Sequence, residues 1–499
     1  MTSIVAQKPR DASRVGRLAE LACLILALAV ALWLRLENIG VYTGSFDEGI
    51  RSEQMLLMAA GFRPFRDIFA SQGPILLDLL FPFYLGFGQS LEAIRLGVVI
   101  TSIVAMIGAY WTARLAAGPI AGIATLGLLA ISPAFLESSR LALAEAPSLA
   151  PSIWAVGAAL RYQAIGRVRW GVAAGVLLAL GVLVKPMVLA VCLPVALLVF
   201  LRRPLSISGL AAFATAGLVT TAMVIFVLGP SGVYEDLAAY RGGASHTLGG
   251  DAAANWRLTA AVLARERLAI VGLAFAAALG AIRLPRILLP LVAWPLAVAV
   301  LFLVYDDLAD KHIVYLTFPL SLLAGIGIGG TIAAINNLVR TRRLSYAIIG
   351  VVGVIAAVSY LGDIPRVWRA DVFMLHEAGR VAENRRDIAS ELEIANIMTR
   401  LSGPSEYVIT DNPNAAFRAR RLVPPKLVDT SGTRIDAGSL TDALAINTAE
   451  RYQPPIIVTA PNRMAKLSGF VRWMVDGRYD LVKTYDVGWK VYLRQGLTL

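Results

Sequence analysis

The sequence predicts a mostly α, polytopic membrane protein that closes with a smaller α/β part, and three observations predict it. Hydrophobic residues make up 57% of the 499 positions, with a mean hydropathy of +0.67, too apolar for a water-soluble enzyme. Continuous apolar runs of about 15–25 residues recur as far as Leu361, long enough to cross a hydrocarbon core of about 30 Å as helices. Beyond that point the composition turns polar and mixed in charge, with short apolar runs between Pro, Gly and Asn turns.

Taken in order, spans are expected at 21–36, 96–113, 120–136, 147–162, 170–184, 187–201, 210–228, 268–282, 287–304, 313–335 and 346–361, about eleven transmembrane helices in all. A basic start (Lys8, Arg10, Arg14, Arg17) precedes the first, and no small-residue cleavage site follows it, so it reads as an uncleaved helix. With that start cytoplasmic, the basic residues at 114, 161–169, 202–203, 283–286 and 340–343 all fall inside, as the positive-inside rule requires. The acids Asp47, Glu48, Glu137, Glu145, Glu235, Asp236, Asp306, Asp307 and Asp310 fall outside. The net charge of +12 is scattered through short loops, where it reports topology rather than a nucleic-acid face. Cys23 and Cys192 lie inside apolar runs and specify neither a disulfide framework nor a zinc site.

The apolar stretch 75–88 is short and carries Asp78 and Pro82. If it crossed, every later basic loop would change sides, so it is expected to lie flat at the outer interface. The odd count then leaves the C-terminus outside. The chain divides into a membrane part, 1–361, with its first external loop at 37–93, and an extracytoplasmic α/β part, 362–499. A helix is expected over 372–400, and short strands near 407–410, 456–459 and 491–493.

Four polar features converge on the outer side. Asp47-Glu48, with Arg51 one turn later, stand in the first loop, where a carboxylate in a partly dry cleft can take a proton from a hydroxyl. Spacing alone gives equal weight to a plainer reading, a solvated acid beside a helix start. Gln72-Gly73-Pro74 reads as a turn with proline opening a helix. Arg140 and Glu145 share a very short loop, either as a helix-capping pair or as a cation and a carboxylate for a phosphate and a sugar. Lys185 stands between apolar runs of about 15 residues, either snorkelling to the outer face or holding an anion. Lys311-His312 adds positive charge to the same side, although a lone histidine is more often structural. The glycine run at 325–330 fits a dinucleotide fingerprint but lies in an apolar helix with no preceding strand, so close helix packing explains it better. No inner loop is long enough for a nucleotide-sugar domain, so any activated substrate is expected to arrive dissolved in lipid.

On these residues the chain resembles the GT-C superfamily of integral-membrane glycosyltransferases. Within it the likeness is to the family of protein O-mannosyltransferases and bacterial aminoarabinose transferases, a glycosyltransferase family 39-like group. The likeness covers about 21–335. It rests on the acidic pair Asp47-Glu48, the turn at Pro74, Arg140…Glu145-x-Pro147, Lys185-Pro186, and His312-x-x-Tyr315…Pro319. It implies a GT-C fold and transfer of a sugar, hexose or pentose, from a polyprenyl-phosphate donor to a hydroxyl acceptor on a lipid, glycan or protein. The reaction would run with inversion at the outer face of the cytoplasmic membrane. By the same resemblance Asp47 is the catalytic base accompanied by Glu48, Glu145 is the second carboxylate, and Arg140 and Lys185 lie at the donor phosphate. Gln72 and His312 complete the expected phosphate contacts, with Arg51 nearby. Relatives often carry His-Pro-Pro or Lys-Pro-Pro where this chain has Gln72-Gly73-Pro74, so here an amide replaces a basic contact. No cofactor is required; a divalent metal on Asp47 and Glu145 is the one option left open. The expected partners are the lipid-linked donor, the acceptor and membrane lipid, and not nucleic acid. A transporter or lipid-linked sugar flippase is the rival class, more often built from related halves with polar residues near the midplane.

Overall fold

The computed structural model describes residues 14–41, 43–243, 251–265, 285–305, 308–338 and 382–498. Among them, five helices are long and apolar enough to cross a membrane: Val15–Leu36, Leu91–Ala117, Ile207–Leu228, Arg286–Val304 and Asp310–Ala333. Their outer faces expose large apolar side chains such as Leu18, Leu218, Phe226 and Leu296, as helices in lipid do. The expected spans 268–282 and 346–361, the basic residues of 283 and 340–343, Asp306, Asp307 and positions 372–381 lie outside the described residues.

Proline breaks one expected span and sets the irregular start of another. The run at 120–136 divides into α5 (Pro119–Ala130) and α6 (Pro133–Ser138), because Pro133 lacks an N–H and disfavours helix at Ser132. Ser132 is extended and caps the new helix through the Phe135 N–H at 3.3 Å. The run at 187–201 begins as a 3-10 turn, Pro186–Val191, before α9 (Cys192–Phe200). Here α8 (Val168–Val184) ends at Lys185, which is extended at φ −154° and ψ 120° because Pro186 follows it. Between the breaks, α7 (Glu145–Ile165) places Glu145 in its first turn, where the helix dipole favours a carboxylate.

The first polar segment follows α1 (Arg14–Leu36) and folds as α2 (Phe46–Ala59) and α3 (Leu76–Gly86), ahead of α4 (Leu91–Ala117). With 11 residues, α3 rises about 16 Å, half a hydrocarbon core, so it cannot cross alone. Helix α2 is unusual in burying Glu48, Arg51, Glu53 and Gln54, each of which has a hydrogen-bond partner. In the helix Val314–Leu338 the glycine run serves packing: a Cβ on Gly325 would lie 2.0 Å from the Thr125 hydroxyl of α5.

The C-terminal residues form the helix Ala382–Leu401 and a four-stranded sheet in the order β1-β2-β4-β3. Strand β1 (Ile409–Thr410) runs parallel to β2 (Ile456–Thr459), which pairs antiparallel with β4 (Lys490–Arg494), and β3 (Tyr479–Thr484) completes the edge. The sequence did not disclose β3, whose residues are mostly exposed and whose YDLVKT pattern lacks a clean apolar alternation.

This part shares its core with the first polar segment. Leu57, Ile68 and Phe69 lie in one apolar cluster with Ile394, Met398, Val408, Ile456 and Val458. Hydrogen bonds stitch the same seam: the Phe69 N–H to Pro425 O at 3.1 Å, Ser71 Oγ to Asp429 at 3.0 Å, and the Val423 N–H to Glu53 at 3.0 Å.

Glu53 makes the seam sensitive to pH. Burial pushes its carboxyl from 4.5 up to about 8, against the opposing pull of the Val423 N–H and Arg420. The folded state therefore binds this proton more tightly than the unfolded chain, so stability falls as pH rises from about 4.5 to about 8. Glu53→Gln keeps an acceptor for Val423 and removes the proton. Thermal unfolding of the purified protein between pH 5 and 9 should show the wild type losing on the order of a few kcal/mol that the variant does not lose. Equal slopes would show that Glu53 does not titrate there.

Candidate active site

The carboxylate carriers meet through two elements that the breaks bring to one end of the bundle. Lys185, turned out of α8 by Pro186, donates to Glu145 Oε1 at the start of α7. It is 5% exposed, so it does not snorkel; it is a buried cation with a buried anion. His312, in the short turn Asp310–Ile313, accepts the Ala309 N–H on Nδ1 at 3.1 Å and faces Glu145 Oε1 with Nε2 at 3.8 Å. Its neighbour Lys311 donates to Asp47. Consecutive residues of one turn thus touch carboxylates from two distant loops, which joins Asp47 and Glu145 in a single site. Tyr315, one turn further on, shares a hydrogen bond of 2.8 Å with Ser148 of α7.

The three carboxylates differ in access. The Asp47 side chain is 34% exposed, whereas those of Glu48 and Glu145 are 1% exposed. Burial alone would raise the Asp47 carboxyl, but Lys311, then Arg51 and Lys185, outweigh it and hold it below the usual carboxylate range. An ionised carboxylate that solvent can reach is therefore present at neutral pH.

Glu48 has a different environment. Arg95 donates to it twice, Nε to Oε1 at 2.8 Å and Nη2 to Oε2 at 2.6 Å, in the two-pronged geometry that suits a guanidinium. The Ala142 N–H at 2.7 Å and the Thr43 hydroxyl at 2.8 Å also point at it. Arg95 Nη1 reaches both Ile39 O and Val41 O at 2.6 Å. Glu48 and Arg95 thus tie α2, α4, the loop after α1 and the loop before α7 together. Arg140 belongs to this second cluster: it donates to Glu37 O and lines a small cavity with Asn38, Ile39, Val41, Arg95 and Leu141. The pairing of Arg140 with Glu145 that their proximity in sequence suggested is replaced by Lys185 with Glu145.

Arg51 is buried and donates to Gln54 Oε1 at 2.6 Å, and Gln54 in turn holds Phe69 O at 2.8 Å. Gln72 is half-buried in the turn that abuts Lys185. That turn needs its glycine, since a Cβ on Gly73 would meet the carbonyl oxygens of Leu183 and Val184 at 2.3 Å. Sequence reading missed Arg95, Arg241 and Asp429. A lone arginine near the start of an apolar helix reads as an interfacial anchor, and only the fold shows Arg95 facing Glu48. Arg241 donates to Ser71 O at 3.2 Å beside the lysines, and Asp429 arrives from the C-terminal part.

The donor set does not suit a divalent ion as it stands. Asp47 and Glu145 each have an ammonium partner, and no group of three metal-binding side chains occurs among the described residues.

The arrangement is that of a membrane-embedded helical bundle with a charged site, and a mixed sheet packed on its first polar segment. Residues 74–229 match the sequence profile of the dolichyl-phosphate-mannose-protein mannosyltransferase family. No curated protein sequence matches the chain. Among solved structures, ArnT from Cupriavidus metallidurans bound to undecaprenyl phosphate is similar at a TM-score of 0.60 and 16% identity, over 96% of this chain and 98% of that one. The apo oligosaccharyltransferase of Archaeoglobus fulgidus is similar at 0.54 and 14% identity, over 98% of this chain and 76% of that one. A third structure, the same archaeal enzyme with Zn and sulfate, aligns at 0.52 and 16% identity, over 95% of this chain and 73% of that one. The GT-C resemblance read from the sequence is borne out, and the fold is shared along nearly the whole chain.

The Glu48–Arg95 knot is testable apart from activity. Arg95→Met should strand a buried carboxylate and destabilise the protein by roughly 3–5 kcal/mol. Adding Glu48→Gln to that variant should restore part of the loss in a denaturant or thermal scan. Full additivity of the two losses would mean that the pair is not coupled.

Proposed function

We propose that this protein is a glycosyltransferase that moves a hexose or pentose from a polyprenyl-phosphate donor to a hydroxyl acceptor, with inversion. The transfer takes place at the outer face of the cytoplasmic membrane, with the N-terminus inside and the C-terminal part outside. The observation that carries this reading is the turn Lys311-His312, which holds Asp47 and Glu145 at one charged site open at Asp47. The match to a family named for a lipid-phosphate-linked sugar donor supports it, as does the likeness to a transferase crystallised with undecaprenyl phosphate.

In this mechanism Asp47 accepts the proton of the acceptor hydroxyl as its oxygen attacks the anomeric carbon, and the phosphate monoester departs from the opposite face. Lys185, Lys311 and Arg241 bear the negative charge that grows on the leaving phosphate. A phosphate competing for Lys311 also loosens its grip on Asp47, so donor loading frees the base. Glu145 keeps Lys185 and His312 oriented. Glu48 acts with Arg95 to position the neighbouring Asp47, and Arg140 supports the same loops. Arg51 and Gln72 line the site. The route needs no metal, because the lysines supply the positive charge.

Asp47→Asn preserves shape and should lower transfer from a labelled polyprenyl-phosphate sugar by on the order of 10²–10⁴, with the protein still folded. Near-normal turnover would remove Asp47 from the role of base. Lys185→Met should weaken use of the donor, and exhaustive chelation should leave wild-type turnover intact. Loss of activity on chelation, restored by a divalent ion, would replace this scheme with a metal-assisted one.

A further inference from the structure

The C-terminal part does more than cover the site. Two of its arginines stack on aromatic rings of the first polar segment. Arg434 lies 3.5 Å over Phe69 and is itself held by the carbonyls of Lys426 and Asp429, both at 2.7 Å. Arg463 lies 3.3 Å over Phe46, the residue directly before Asp47. Planar guanidinium stacking of this kind fixes a ring in orientation as well as position.

Arg463 is itself anchored at depth. It donates to the main-chain oxygen of Asp411, at the end of β1. The Asp411 carboxylate, fully buried, accepts the Ala460 N–H at 2.6 Å and the Met464 N–H at 3.1 Å, which pins the loop carrying Arg463. A second contact converges on the same turn of α2. Asn414 donates to Ser45 O at 3.0 Å, the carbonyl that also accepts the first helical bond from the Gly49 N–H. A Cβ on Gly49 would lie 2.7 Å from the Asn414 side chain, so only glycine admits this approach. The charge of Arg463 is also within electrostatic reach of Asp47.

We infer that Arg463, stacked on Phe46 and seconded by Asn414, is a positioning residue from the C-terminal part that holds the first turn of α2 and so aims the Asp47 carboxylate. This rests on the reading of Asp47 as base, and it makes the C-terminal part an integral piece of the active site.

The test uses the full chain in detergent or nanodiscs and reads two quantities. In amide hydrogen exchange, Arg463→Gln should raise exchange across 43–50 by about tenfold while α4 keeps its protection. With labelled undecaprenyl-phosphate mannose as donor, kcat should fall about 10–100-fold with KM within about twofold. Arg463→Lys, which keeps the charge but lacks the flat guanidinium, should recover only a small part of the loss. Phe46→Leu, which leaves the C-terminal sheet untouched, should loosen 43–50 in the same way and guards against a variant that simply unfolds that sheet. Unchanged protection at 43–50 in both Arg463→Gln and Phe46→Leu would overturn the inference. So would a raised KM at constant kcat, which would make Arg463 a substrate contact. If wild type and Asp47→Asn transfer equally, the base reading is what fails, and exchange alone decides the role of Arg463.

Discussion

A carboxylate and a guanidinium shut away from water, Glu48 and Arg95, hold the rest of this site in place. Removing two charges from water costs several kcal/mol for each ion unless every donor and lone pair is matched. Here the match is close to complete: Glu48 accepts from Arg95, Ala142 and Thr43, and Arg95 also closes on Ile39 and Val41. Such a knot has few alternative arrangements, because any displacement leaves a buried charge exposed to nothing. Asp47 directly precedes Glu48 in the chain, so its position is largely inherited from a neighbour that does no chemistry.

The second constraint is electrostatic. Lys185 and Glu145 are buried together, whereas Lys311 and Asp47 sit at the accessible edge. The inner pair resists exchange, since separating it would leave a lone ion in low dielectric. The outer pair is open to competition from an incoming anion, at a cost that solvent moderates. A site built of one permanent and one exchangeable ion pair can bind a phosphate without a cation of its own.

The third is the seam between the membrane bundle and the C-terminal sheet. Leu57, Ile68 and Phe69 belong to the core of that sheet, although they precede it by over three hundred residues. Arginines over aromatic rings and side-chain bonds to main-chain carbonyls complete the seam. The carboxyl of Glu53, kept protonated by burial, is the part of it most exposed to a change of pH.

Much of this was legible in the order of residues. Apolar run length announces a membrane bundle because the hydrocarbon thickness admits no shorter helix, and the acidic interruption at Asp47-Glu48 marks the site because ions are rare beside lipid. Pro186 was readable as a residue that cannot continue a helix, and the expected spans stop on either side of it; Pro133 was readable in the same way, yet the span through it was drawn as continuous. Partner choice was not legible. Arg140 is five residues from Glu145 and does not pair with it, while Lys185 is forty residues away and does. Lys311 finds Asp47 across 264 positions, and Arg463 reaches Phe46 from the far end of the chain. Hydropathy and helix breaking act over neighbouring residues, so the sequence by itself determines which segments enter the membrane and where they bend. Ion pairing and stacking act across space, so only the packing of the whole chain decides which charge meets which.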